Sequence, residues 1–407
     1  MNTIYDYPLQ EQIDDYLKID NLKIKEYLKN SQYIIPENLK ELINGFIYHK
    51  KKYGSNVEKK FYTDCDFSKM LKRLITKRPL VFMGKGDLWI LKSGDSSCGS
   101  WETIGTDSEK APLLMKDYIT YDEIELSSFI SVSINTPFVN TGSRRNIYIK
   151  DSIHEPEGFY IGQCGARFEE NSRMEFKYML VTDIQNTEEN GYGPKGDVVN
   201  ARKLKHFAKF YSVEYFPEFE EAVKDYTGRF VLVNGHRNVY LDTLIYKRRI
   251  RYNAFVFLKD ADVRAMNASK KAFVYAVGLG LGAWCIDKEL QTKITINVYL
   301  ELLEKRKFKF IDEVYFGWFN ICGLDIVIPK DIKGIKISEG YRNPAEKLIG
   351  DNLILVCNWA WDPCSYIGNE YWIKHLGSSG DPAAACCSYI AFLGNHDIYE
   401  PKRVISY

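Results

Sequence analysis

Three short runs in the last third of the chain are apolar at nearly every residue: Phe273 to Val277, Val314 to Phe319, and Leu353 to Cys357. A strand with one wet face alternates, so runs without alternation predict strands covered on both faces. They mark the centre of a sheet. Between the first two, Leu290, Ile294, Val298 and Leu302 fall on one helical stripe, giving a strand, a glycine loop, a helix and a strand in succession. Phe159 to Gly162 and Tyr178 to Val181 read as further strands, flanking Gly165-Ala166-Arg167-Phe168-Glu169-Glu170. The polar stretch from Gln185 to Gly196 is a loop.

Ahead of this α/β text, residues from about 9 to 76 are rich in lysine and tyrosine, with Leu39, Leu42, Ile43 and Phe46 at helical spacing. They predict an N-terminal helical segment over 1–77, followed by a main domain over 78–407. A loop rich in glycine and serine, from Lys92 to Ser100, opens that domain. A chain of 407 residues with 45% hydrophobic content can bury such a core without staples.

Charge excludes some partners. Lys plus Arg number 55 against 54 Asp plus Glu, so no general attraction to nucleic acid or anionic membrane is expected. The basic run Lys247-Arg248-Arg249-Ile250-Arg251 reads as a solvated face. No run of about 18 apolar residues is present, and the N-terminus lacks the basic start and apolar run of an export signal. The nine cysteines form no CxxC pair and read as reduced thiols in a cytoplasmic protein. The six histidines are dispersed, without HxH or HExxH spacing, so no zinc site is expected. No cofactor is called for, although a magnesium ion on one or two carboxylates would leave no pattern.

Two dense regions carry chemistry. Val277-Gly278-Leu279-Gly280-Leu281-Gly282-Ala283-Trp284 joins a buried strand to a helix, where bare backbone amides and a helix terminus suit a diphosphate. Gly278-x-Gly280-x-x-Ala283 also fits the dinucleotide fingerprint, but that motif wants an acid at the end of the next strand to hold ribose. Here that strand ends Gly317-Trp318-Phe319-Asn320. The second region, Asn358-Trp359-Ala360-Trp361-Asp362-Pro363 through Gly368-Asn369-Glu370-Tyr371-Trp372 to Asp381-Pro382, sets three acids among aromatics directly after a buried strand. In an open α/β sheet that is where ligands bind, and paired carboxyls suit glycoside hydrolysis. Asp362-Pro363 and Asp381-Pro382 also have the form of ordinary turn and helix-start sequences.

The run Val274 to Trp284, followed by a helix and Val314 to Phe319, resembles the late phosphate loop, helix and strand of macrodomains and poly(ADP-ribose) glycohydrolases. Leu353 to Asn358 with Gly368 and Asn369 looks like the strand and loop that normally open the ribose site, in reversed order. The arrangement is similar to the Legionella MavL-type effectors and their relatives in bacteria and protists. Gly165 to Glu169 with Met174-Glu175, Val139 to Gly142 with Arg145-Asn146, and Ser379 to Ala385 fit that family as well.

The resemblance implies a three-layer, macrodomain-like mixed sheet with helices on both faces, circularly permuted, behind the N-terminal helices. It implies a hydrolase that cleaves the glycosidic bond between ADP-ribose and a modified acceptor. Asp362 would orient or deprotonate water, and Glu370 or Asp381 would assist the leaving group or the ribose hydroxyls. Gly278, Gly280 and Gly282 would cradle the diphosphate, Asn358, Gly368 and Asn369 would hold the distal ribose, and Trp284 or Trp359 would pack on a base. The partner would be ADP-ribose or an ADP-ribosylated protein, ubiquitin among the acceptors, in the cytosol of the cell itself or of a host. The tandem glutamates of the standard glycohydrolase signature are absent as such, and Glu169-Glu170 reads as a solvated pair. Two other classes remain open: a reader module that binds ADP-ribose without cleaving it, and an NAD-dependent oxidoreductase. Extra carboxylates near a diphosphate weaken binding unless chemistry needs them, which favours the enzyme.

Overall fold

The computed structural model describes residues 21–83, 86–138, 141–142, 153–171, 173–195, 199–361, 364–366, 369 and 404–407. Its main sheet has nine strands: β1 (Gln32–Ile35), β2 (Ser131–Pro137), β3 (Glu157–Gln163), β4 (Lys271–Ala276), β5 (Ile311–Gly317), β6 (Asp331–Ile332), β7 (Ile335–Gly340), β8 (Leu353–Ala360) and β9 (Val404–Ser406). Their spatial order is β6-β7-β5-β4-β8-β3-β2-β1-β9. The five strands β7, β5, β4, β8 and β3 run parallel, while β6 and β2 join them antiparallel. This mixed α/β sheet is macrodomain-like.

The three apolar runs are β4, β5 and β8, adjacent at the centre as their composition requires. Val274, Val314 and Val356 are all fully buried. Tyr275 aligns with both Tyr315 and Cys357 across the ladders. Trp359 of β8 sits opposite Gly162 of β3, and its ring occupies the space a side chain there would need, 2.9 Å from the missing Cβ.

Three long helices cover the sheet or support its covering: α1 (Leu39–Tyr53), α2 (Thr243–Asn267) and α3 (Lys288–Lys305). Helix α2 touches β2, β4, β5 and β8 and packs along α3. Its first turn is closed by Asp242, whose side chain accepts from the amides of Leu244 and Ile245. That carboxylate is fully buried and paired with Arg229 at 2.6 Å. On helix α3 the predicted stripe is fully buried at Val298 and Leu302 and only half-buried at Leu290 and Ile294, with Gln291, Thr295 and Tyr299 buried beside it. Among the described residues no helix is long and apolar enough to cross a membrane.

Three sequence expectations need correction. The N-terminal segment holds the helices 21–30, 39–53, 56–62 and 67–76, yet it also supplies β1, which pairs with β2 inside the main sheet. One continuous hydrophobic cluster runs from Tyr27 to Tyr366. Tyr178 and Met179 belong to a helical turn, Phe176–Met179, with only Leu180–Thr182 extended. Tyr178 is drawn inward there by hydrogen bonding to buried Glu125. The third concerns the basic run: Arg249 is fully buried rather than solvated, while Lys247 and Arg251 face Glu301.

Candidate active site

Because the five central strands are parallel, the segments that leave Gln163, Ala276, Gly317, Gly340 and Ala360 all emerge along one edge. The glycine loop, the Gly165 loop and the acid-rich loop after β8 are therefore neighbours by topology, as ligand sites in open α/β sheets require.

In the glycine loop, Leu279 and Leu281 point into the core at 3% and 6% exposure, leaving Gly278, Gly280 and Gly282 on the outer side. The amides of Leu279, Leu281 and Cys285 close turns on Val277, Gly278 and Gly282. Those of the three glycines donate to no acceptor among the described residues. Unpartnered backbone amides in a glycine loop can bind anionic oxygens. Gly280 has φ +72, which a side chain would strain.

The helix terminus does not contribute as expected. Helix α3 begins only at Lys288, and Asp287 already caps it, accepting from the Leu290 amide at 3.0 Å. Gln291 takes the amides of Ile286 and Asp287 at 2.8 and 3.0 Å. An anion must use the glycine amides. Asp287→Ala is accordingly expected to cost about 1 kcal/mol of stability in urea unfolding. By calorimetry, ADP-ribose affinity should stay within about threefold, and a tenfold loss would return the helix terminus to the site.

The loop after β3 crosses the glycine loop at backbone contact. A Cβ built at Gly165 would lie 2.2 Å from the Gly280 nitrogen, and the Phe168 amide donates to the Trp284 carbonyl at 3.0 Å. Trp284 is half-buried at this crossing, with the Arg167 guanidinium 5.8 Å from its ring centre. A lattice beneath holds the crossing in place. Arg249 of α2 pairs with Glu175 at 3.2 Å and donates to the carbonyls of Cys164 and Ser128. Asn253 also donates to Cys164, and Glu175 accepts the Arg167 amide. With both Arg249 and Glu175 out of water, the pair serves geometry more than stability.

Acids gather at the rim. Arg167, itself 3% exposed, is bound by Glu169 at 3.0 Å and lies 3.5 Å from Asp87, an ion-pair distance without hydrogen-bond geometry. Asp87 sits at φ +53, a left-handed turn conformation that aspartate tolerates better than most residues. Burial raises its carboxyl pKa, and Arg167 offsets this only in part. Glu170 accepts the Gly86 amide at 3.2 Å, tying the 86–98 hairpin to the same rim. The glutamate pair is thus engaged, not merely solvated. Among the described residues no three His, Cys, Asp or Glu side chains come together as metal ligands.

Of the residues singled out from sequence, the structure places Gly278, Gly280, Gly282 and Trp284 on the carboxyl edge. Asn358 is fully buried, and its amide donates to Ile161 and Gln163 of β3, so its donors tie two strands together and do not reach a ribose. Trp359 is 1% exposed and packs inside the sheet, away from any base. Asn369 is buried beside Tyr366. Asp362, Gly368, Glu370 and Asp381 lie outside the described residues, as do Val139-Asn140, Arg145-Asn146 and Ser379 to Ala385. Sequence reading missed Asp87 and Arg167; the one available signal was the Gly86-Asp87 turn between two short strands.

An α/β sheet with unpartnered glycine amides and several acids along its carboxyl edge fits an enzyme that acts on a phosphorylated glycoside. The chain belongs to the MavL-like ADP-ribosylhydrolase family, whose sequence model matches residues 12–403. It is 33% identical over 402 residues to the Drosophila melanogaster ADP-ribosylarginine hydrolase CG3568, covering 92% of this chain and 77% of that protein. A second Drosophila melanogaster protein, the ADP-ribosylarginine hydrolase CG2909, is 32% identical over 396 residues with the same coverage. The protein is thus an enzyme that hydrolyses ADP-ribose from a modified acceptor.

Proposed function

We propose that the acceptor is arginine: the enzyme cleaves the N-glycosidic bond between ADP-ribose and the guanidinium of a modified arginine side chain. The observation that carries this reading is the rim, where Asp87 and Glu169 gather on Arg167, in the loop that crosses the glycine loop, and Glu170 holds the Gly86 amide. Carboxylates there favour a cationic leaving group and disfavour an anionic one. The names of the two Drosophila relatives agree with it.

In this scheme the diphosphate lies on the amides of Gly278, Gly280 and Gly282, and Trp284 offers a partly open ring to a base or ribose. Asp362 deprotonates a water, whose oxygen attacks the anomeric carbon as the bond to the guanidinium nitrogen breaks. Glu370 or Asp381 protonates or steadies the departing nitrogen, and Asn369 with Gly368 holds the ribose. The products are ADP-ribose and unmodified arginine. The developing oxocarbenium charge is stabilised by the same carboxylates.

The test compares release of ADP-ribose from arginine-, serine- and glutamate-linked peptides, with an arginine-modified folded protein such as ubiquitin as a further substrate. Arginine is expected to be favoured by roughly 100-fold or more. Equal release from all linkages, or release from serine alone, would overturn the assignment. Calorimetry with ADP-ribose, using ADP and NAD as controls, should show binding that Gly280→Glu abolishes.

A further inference from the structure

The hairpin that carries Asp87 has one edge covered and one edge open. Its three strands, Val81–Met83, Leu88–Ile90 and Ser96–Cys98, pair antiparallel in that order. The first strand is held against the chain: Val81 and Phe82 are 1% exposed, the Phe82 amide donates to Ser365 Oγ at 2.9 Å, and Arg78 donates to the Ser365 carbonyl at 3.3 Å. The outer strand, Ser96-Ser97-Cys98, is exposed at every residue.

Register shows which backbone groups the open edge presents. The Leu91 amide donates to the Asp95 carbonyl at 2.8 Å, and the Gly99 amide to the Asp87 carbonyl at 3.2 Å. Hydrogen-bonded and non-bonded pairs alternate along an antiparallel ladder. Between those two bonded pairs, Trp89 and Ser97 are therefore bonded, while Ser96 opposite Ile90 and Cys98 opposite Leu88 are not. The N–H and C=O groups of Ser96 and Cys98 thus point away from the hairpin, and no described residue pairs with them. Natural edges are blunted by lysine, proline or a bulge. This strand has none of these, and only its three-residue length limits it.

The place of this edge says what covers it. Gly99, just past the strand, bonds to Gly86 and Asp87, and those two residues meet Glu170 and Arg167 at the rim. A backbone added outside Ser96–Cys98 would run about 5 Å from it and about 10 Å from the middle strand, which begins beside Asp87. An extended arginine side chain and the ribose on it can span that gap. Acids stand at both ends, Asp95 before the strand and Asp87 and Glu170 beyond it, which suits a segment that carries arginine.

We propose that Ser96–Cys98 is the docking edge for the acceptor: the extended backbone around the ADP-ribosylated residue adds to the hairpin as a fourth strand and exchanges hydrogen bonds with Ser96 and Cys98. The proposal rests on the reading above in taking the acceptor as an arginine-bearing polypeptide. Backbone pairing reads no side chain, so the edge serves acceptors of many sequences, provided that the modified residue lies in an extended or locally unfolded segment.

The test uses the full chain and two substrates, a short peptide ADP-ribosylated at a central arginine and the same conjugate on free arginine. Ser96→Pro and Cys98→Pro each remove one outward donor and leave the ladder bonds in place. Each should lower kcat/KM on the peptide about tenfold through KM, as loss of one backbone hydrogen bond does, with the free-arginine conjugate held within about twofold. On the substrate side, N-methylation of the peptide backbone should impair turnover at alternate residues only, the period of a paired strand. Amide exchange in 95–99 should slow when the peptide binds.

Both substrates falling together in the proline variants, peptide turnover unchanged in them, or N-methyl effects without that alternation would overturn the proposal. So would a dimer that either proline disperses with peptide turnover untouched, which gives the edge to a second copy of the chain. If neither proline variant folds, the N-methylated peptides decide on the wild type. Should the wild type release nothing from the arginine-linked peptide, the arginine reading fails alone. Protection of 95–99 by that uncleaved peptide then supports the docking edge, and unchanged exchange overturns it.

Discussion

Asp362→Asn is expected to lower turnover about 10²- to 10⁴-fold, the usual worth of a positioned general base, while ADP-ribose affinity changes by no more than about threefold. The substitution keeps shape and removes the charge and basicity. Trp361 and Cys364, on either side in the chain, are buried at 4% and 1% exposure, and the Trp361 amide donates to the Gln163 carbonyl at 2.9 Å. The segment is therefore anchored independently of the Asp362 side chain, and a folding defect is not the expected outcome. Single-turnover release from an arginine-linked peptide, read beside calorimetry, separates chemistry from binding. Undiminished turnover in Asp362→Asn, and again with Glu370→Gln added, would remove this loop from the catalytic scheme.

Gly165→Ala should damage both stability and binding. Its new Cβ meets the Gly280 nitrogen at 2.2 Å, the Gly280 Cα at 2.5 Å and the Leu279 carbonyl carbon at 2.6 Å, all backbone atoms that cannot swing aside. The two loops must part. Overpacking of this kind costs typically about 1–3 kcal/mol, measurable as a shift of the urea midpoint with unchanged slope. Because Gly280 carries one of the unpartnered amides, parting the loops also displaces that donor. ADP-ribose affinity should fall at least about tenfold, equivalent to about 1.4 kcal/mol. Stability lost without affinity lost would show that the crossing is only a packing contact and that the phosphate groups bind elsewhere.

Much of the fold was legible in the amino-acid text for a simple reason. Strands covered on both faces must be apolar throughout, and β4, β5 and β8 announce themselves that way wherever they pair. The glycine loop was equally legible, since alternating Leu279 and Leu281 with glycines leaves few other conformations. The resemblance to ADP-ribosyl hydrolases was carried by these same segments and by the acids after β8, and family membership agrees with it.

What was not legible depends on distant partners. Arg249 stands in a basic run that reads as solvated, and only the helical phase of Ile245, Arg249 and Asn253, one turn apart on α2, turns it inward against Glu175. Asn358 and Trp359 read as ligand groups because they adjoin acids, yet pairing of β8 with β3 consumes the amide of one and buries the ring of the other. Glu169-Glu170 looks solvated until Arg167 and Gly86 are brought to it.

The sequence by itself therefore determined the central strands, the flexible-backbone loop and the kind of chemistry, because hydrophobic pattern and residue type act locally. Tertiary structure alone decided which side chains are free to act. Whether Arg78, Asp87 or Asn358 faces a ligand or the core follows from contacts across as many as 287 residues of chain, such as Arg78 to Ser365, and local pattern holds no record of them.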